Sequence, residues 1–134
     1  MAKLVPLALL LVISGCAATT PVPKQADLIG QWHIESIGDR PVIDRSPAAI
    51  EFTNEGRAGG NASCNRFTGA YTLSGSELSF GPLAATKMMC PDALMDQEIR
   101  FLAALDRVAG VQIQQELLIL QDENGETLIT ASRQ

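Results

Sequence analysis

Residues 69–110 read GAYTLSGSELSFGPLAATKMMCPDALMDQEIRFLAALDRVAG, and the hydrophobic period changes partway through them. Before Pro91 the pattern is that of strands and tight turns. Gly69 to Leu73 and Leu78 to Phe80 flank Ser74-Gly75-Ser76-Glu77, a hairpin signal, and Pro82 to Met89 reads as a further strand. After Pro91 the period lengthens. Met95, Ile99, Leu102 and Leu105, joined by Phe101 and Val108, fall on one helical face, with Asp96, Arg100 and Asp106 on the other. Pro is tolerated in a first turn, Asp92 suits the positive end of the helix dipole, and Gly110 stops the helix. The spacing predicts a helix over about residues 91–109.

Outward from this stretch the chain is strand-rich. Leu28 to Ile37 reads as a first strand, with Trp32 and Ile34 alternating against Gln31, His33 and Glu35. Gly38-Asp39 turns it, and Pro41-Val42 is a short edge extension. Ala49 to Phe52 is turned back by Thr53-Asn54-Glu55-Gly56 into Arg57 to Asn61. Beyond the helix, Val111 to Gln114, Leu117 to Leu120 and Leu128 to Thr130 follow, with Asp122-Glu123-Asn124-Gly125 as another turn. Many strands around one helix indicate the α+β class: an antiparallel β-sheet of about 7–8 short strands with the helix packed on it.

The chain has 134 residues, 46% of them hydrophobic, and a formal charge of -5. That length suits one domain. An acidic chain with a pI near 4.7 lacks the Lys/Arg excess that neutralises phosphates, so no nucleic-acid partner is expected. The start differs in character from the rest. Lys3, an apolar run from Leu4 to Ile13 and the small residues Ser14-Gly15 have the plan of a secretory signal over residues 1–15. The run is too short to cross about 30 Å of hydrocarbon as a stable helix. Ile13-Ser14-Gly15-Cys16 resembles the bacterial lipobox, which implies cleavage before Cys16 and lipid on its sulfur. Several acyl chains there would anchor the protein stably in a membrane. Ala17 follows Cys16 in place of the Asp that retains such proteins in the inner membrane, so the outer membrane is expected, with the domain facing the periplasm. Residues 16–26 read as a flexible tether and residues 27–132 as the domain.

Cys64 and Cys90 remain, an even pair in an oxidising compartment. A bridge closing a loop of that size contributes about 3.5 kcal/mol by the chain-entropy model. A catalytic cysteine would need His33, the only imidazole, as its base. A metal site would need ligands that no CxxC or His cluster supplies. A structural disulfide is the favoured reading of the three.

Two segments carry a resemblance: Gly60-Asn61-Ala62-Ser63-Cys64-Asn65-Arg66-Phe67, and Gly81 to Pro91 with Leu83, Thr86, Met88 and Cys90 within it. Together with Gly30 and Trp32 near the start, and Glu98 with Phe101-Leu102-Ala104-Leu105, the chain resembles the META domain family from about Asp27 to Ala131. The resemblance implies a Cys64–Cys90 pair and a secreted or envelope-anchored protein with loose links to stress. It carries no catalytic residue set.

No residues stand out for catalysis, cofactor or metal. The acidic residues are scattered singly, and neither a GxSxG elbow nor a phosphate loop is present. Asn61, Asn65, Arg66, Thr86 and Lys87 crowd the two cysteines and form a candidate binding surface, although Asn side chains at a tight turn commonly bond their own backbone. The expected function is non-enzymatic binding of an unknown envelope protein partner. The alternative is a lipid or small-molecule carrier with a groove between sheet and helix, lined by Met88, Leu94, Ile99 and Phe101.

Overall fold

A computed structural model describes residues 1–3, 11–12 and 14–134. Residues 4–10 and 13, most of the expected signal core and the first lipobox position, lie outside the described set. The elements are α1 (Gln25–Leu28), β1 (Gly30–Ile37), β2 (Arg40–Pro41), β3 (Ala49–Phe52), β4 (Arg57–Asn61), β5 (Arg66–Ser74), β6 (Glu77–Phe80), β7 (Ala84–Ala85), α2 (Asp92–Arg107), β8 (Gly110–Gln114), β9 (Leu117–Gln121) and β10 (Thr127–Arg133).

The class is α+β and the pairing antiparallel, but the sheet is not open. Neighbours run β1, β3, β4, β5, β6, β8, β9, β10, and β10 then returns to β1, with Trp32 opposite Arg133 and Ile37 opposite Ile129. Eight strands therefore close into a barrel, and β2 and β7 are short additions alongside β1 and β5. Closure removes the exposed strand edges that an open sheet would leave. An eight-strand barrel is just wide enough inside for side chains to fill it. Trp32, Ile34, Ile50, Phe52, Leu78, Leu118, Leu120 and Ile129 do so, all of them buried.

Strand β1 shows how the inward series is kept. Trp32, Ile34 and Ile37 are buried, a step of three in the second interval. The ladder to β10 slips between Ile34 and Ser36, so Glu35 bulges outward. A strict period of two would have turned Ser36 inward and Ile37 out; the bulge reverses that.

The two helices close the ends. Leu28, expected at the start of the first strand, instead ends the single turn α1. It is fully buried, and its carbonyl accepts the indole N–H of Trp32 at 2.8 Å. The Gln25 amide donates to the Tyr71 hydroxyl at 3.3 Å and to the Asn54 carbonyl at 3.2 Å, which ties α1 to the β3–β4 turn. Arg133 lies 4.2 Å from the centre of the Trp32 ring and donates to the carbonyls of Asp27 and Ile29.

Helix α2 sits at the other end, against the β2–β3 and β4–β5 connections. It packs on β1, β6 and β10. In the ring β1 and β6 are opposite walls, so a helix touching both must lie across the interior rather than on an outer face. Strands β6 and β8 share only the pair Glu77–Gly110, and the chain entering β8 there is the end of α2.

Its buried stripe is Gln97, Glu98, Phe101, Ala104 and Leu105. The expected face was rotated from this one: Ile99 is 66% exposed, while Met95 and Leu102 are half-buried. Apolar counting misplaced the face because two of the inward side chains are polar. Of the strand expected over Pro82 to Met89, only Ala84–Ala85 pairs. Among the described residues, the four expected to line a groove between sheet and helix do not share one face. Phe101 is fully buried with its ring 5.4 Å from that of Phe67, Met88 is 56% exposed, and Leu94 is half-buried. These four residues do not converge on a common space.

The rotated face is testable by urea unfolding. Phe101→Ala should lower stability by about 3–5 kcal/mol, the usual range for truncating a core aromatic. Ile99→Ala should stay within about 0.5 kcal/mol of the parent. Comparable losses for both would contradict the helix orientation.

Candidate functional site

Cys64 and Cys90 are joined, with Cα atoms 6.0 Å apart and a separation of 26 positions in sequence. Both thiols are consumed, which removes the alternative of a cysteine nucleophile served by His33. The bridge ties the β4–β5 connection to the segment leading into α2.

A polar clamp surrounds it. The Glu98 carboxylate, buried on α2, accepts the backbone N–H of Cys64 at 3.2 Å and of Asn65 at 2.5 Å through one oxygen. Its other oxygen accepts the Asn65 amide at 2.7 Å. The amide of Asn65 also donates to the Met88 carbonyl at 3.2 Å, while its oxygen accepts Met88 N–H at 2.6 Å and the Thr86 hydroxyl at 2.9 Å. One side chain thus joins the helix, both cysteine segments and Thr86. Beside it, the Gln97 amide donates to Ser46 and Ser63 hydroxyls at 2.7 and 3.1 Å and accepts Ile43 N–H at 2.8 Å.

The connection itself is strained. Ser63 has φ 124, a region L residues rarely adopt, and it is buried. The Asn61 side chain holds it there by accepting Ser63 N–H at 2.8 Å, as an Asn in a turn commonly does. Gly60 has φ 147, and a Cβ there would lie 2.2 Å from the Ala49 carbonyl oxygen. At Gly59 a Cβ would lie 2.7 Å from the Phe67 carbonyl oxygen. Neither position has room for a side chain.

The outer surface beside Gly59 is hollow. A cleft of about 600 Å³ opens there, bounded by Glu51, Arg57, Arg66, Thr68, Ala84 and Thr86 among others. The registers place Glu51, Gly59, Thr68 and Ala84 in one outward row across β3, β4, β5 and β7. The Arg57 guanidinium donates to the Thr68 hydroxyl at 3.0 Å. Among the described residues, neither Arg57 nor Arg66 forms an ion pair.

Of the residues singled out from sequence, Arg66 and Thr86 line this cleft. Lys87 is exposed beside Thr86. Asn61 is committed to Ser63, and Asn65, only 2% exposed, is committed to the clamp and cannot face a ligand. Glu51, Arg57, Thr68 and Ala84 were missed. They lie far apart in sequence and meet only through strand register. The Gly59-Gly60 pair was the one local sign that side chains give way here. Cys16 is exposed with a free thiol.

If clamp and bridge hold the same loop, their losses should be coupled. Cys90→Ala should cost about 2–5 kcal/mol, as for native disulfides of small exported domains. Glu98→Ala, which strands three buried donors, should cost several kcal/mol at about 1–3 for each group. In a double-mutant cycle followed by thermal unfolding, the pair should fall short of the sum by at least about 0.5 kcal/mol; strict additivity would separate the two.

Comparison with known proteins agrees with this architecture. The chain is 29% identical over 130 residues to Heat shock protein HslJ of Escherichia coli, covering 94% of this chain and 86% of the relative. A protein from Burkholderia xenovorans solved by NMR superposes with a TM-score of 0.70 at 28% identity, covering 90% of this chain and 94% of its own. A DUF4847 family protein from Bacteroides vulgatus shares the fold, with a TM-score of 0.60 at 16% identity over 80% of this chain and 94% of its own. The META domain model matches residues 26–134, from the first turn of α1 to the end of β10, and the chain belongs to the META domain family.

Proposed function

We propose that this chain is an exported lipoprotein, held in the outer membrane by lipid on Cys16, whose META barrel binds an envelope protein without catalysis. The observation that carries the reading is the cleft over Gly59 on the outside of a barrel whose interior is filled. In such a barrel recognition falls to the outer surface, and this cleft has the size of ordinary ligand sites, about 300–1,000 Å³. The signal and lipobox pattern of residues 1–16 supports export and anchoring. The heat-shock designation of the E. coli relative supports a role under envelope stress.

Two experiments test the reading. Cys16→Ser should abolish incorporation of labelled palmitate and release the protein from the membrane fraction; label retained on the variant would refute the anchor. A photo-crosslinking residue at Ala84, in the cleft, should give a discrete adduct in cells. The same residue at Asp39, in the exposed β1–β2 turn, should not. Identical patterns from both positions would remove the cleft from the interaction.

A further inference from the structure

Resting on the assignment of partner binding to the cleft, we infer the chemistry of the segment bound there: it is extended and acidic, with carboxylates at alternate positions. Three observations lead to this. The first is charge. Arg57 and Arg66 flank the hollow over Gly59, and among the described residues neither is neutralised by an ion pair. Elsewhere Arg100 pairs with Asp96, Arg107 pairs with Asp122, and Arg133 is occupied with backbone carbonyls, while Arg40 and Arg45, which also form no ion pair among the described residues, do not line the cleft. In a chain of net charge -5, two exposed arginines bracketing one cleft are a local reversal of sign.

The second is spacing. Arg57 reaches across to Thr68, so its charge lies at the level of that residue. Thr68 and Arg66 are two residues apart on the same outer face of β5. At about 3.3–3.4 Å per residue that places the positive charge of Arg57 about 7 Å along the strand from the Arg66 backbone. Side chains on one side of an extended peptide repeat at this same interval.

The third is shape. The cleft opens on the outer surface, and its lining between the arginines includes Gly59, Ala84 and Ala85, with hydroxyls from Thr68 and Thr86. A floor of small side chains admits the backbone of a guest, and guanidinium groups beside it match carboxylates by charge-assisted hydrogen bonds. A long polyanion would be repelled by the rest of this acidic surface, whereas a short segment engages only the two arginines. Glu51 on the opposite wall sets the sign of a control, because it opposes an acidic guest.

The test uses the full-length protein in detergent micelles and fluorescence anisotropy with three labelled octapeptides: alternating Ala-Glu, Ala-Gln and Ala-Lys. The Ala-Glu peptide should bind about tenfold more tightly than the Ala-Gln peptide, the scale of one hydrogen bond to a charged group. Arg57→Gln and Arg66→Gln should each weaken it by a similar factor, and Glu51→Gln should strengthen it. Ala84→Trp, which fills the cleft from an exposed position, should abolish it. Equal or tighter binding of the Ala-Gln or Ala-Lys peptide would overturn the inference. So would indifference to Arg66→Gln or Ala84→Trp, or no binding of Ala-Glu at millimolar concentration. If cleft-specific crosslinks in cells persist alongside such a result, only the acidic chemistry falls; if they also vanish, the binding assignment falls with it.

Discussion

The structure depends on the pairing of β10 with β1. Without the ladder from Trp32–Arg133 to Ile37–Ile129, the remaining strands would form a curled sheet with two bare edges and one exposed apolar face. Closing it turns that face into a shared interior. The same closure brings Arg133 over Trp32 and lets it bind the carbonyls of Asp27 and Ile29, so the end of the chain fastens its beginning. The contact joins residues about a hundred positions apart and must be stable enough to offset a long loop closure. That cost rises only logarithmically with length, which makes such a closure affordable in a domain of this size.

Closure leaves two ends and one thin seam. Helix α1 covers one end with an apolar residue and a satisfied indole. Helix α2 covers the other with Phe101 and Leu105 but anchors itself through Gln97 and Glu98. A purely apolar stripe would let the helix slide or rotate over the barrel mouth with little penalty. Two buried polar side chains, each with all its partners in one place, allow a single register, because any displacement strands several donors at once. The disulfide then holds the loop that presents those donors.

Much of this was legible in the sequence, and the illegible parts share a cause. The strands around Ile50, Tyr71 and Leu118, the turn at Gly75 and the helix after Pro91 are local signals, set by alternation, turn chemistry and capping within ten residues. Barrel closure is not local: nothing near Trp32 or Arg133 announces the other. The helix face was misplaced for a related reason. Periodicity assumes that polar side chains point outward, and Gln97 and Glu98 point inward because loops at 43–46 and 62–65 supply their partners. The candidate cleft was half legible. Arg66 and Thr86 were visible beside the cysteines, whereas Glu51, Arg57 and Ala84 reach the cleft only through the registers β3–β4–β5–β7.

The clamp and the cleft are two sides of one piece of chain. Asn65 points inward to Glu98, and its neighbour Arg66 points outward into the cleft. Thr86 donates to Asn65 behind and lines the cleft in front, and its backbone N–H reaches the Arg66 carbonyl at 3.0 Å. The walls of the cleft are therefore fixed by bonds that a guest does not have to form. A site prepared in this way loses little side-chain and loop freedom on binding, and the surplus goes into affinity. The glycines at 59 and 60 serve the same end: they let the backbones of β3 and β5 approach β4 closely beneath the cleft. On this view the disulfide and Glu98 stabilise the fold chiefly at the place where rigidity also shapes recognition.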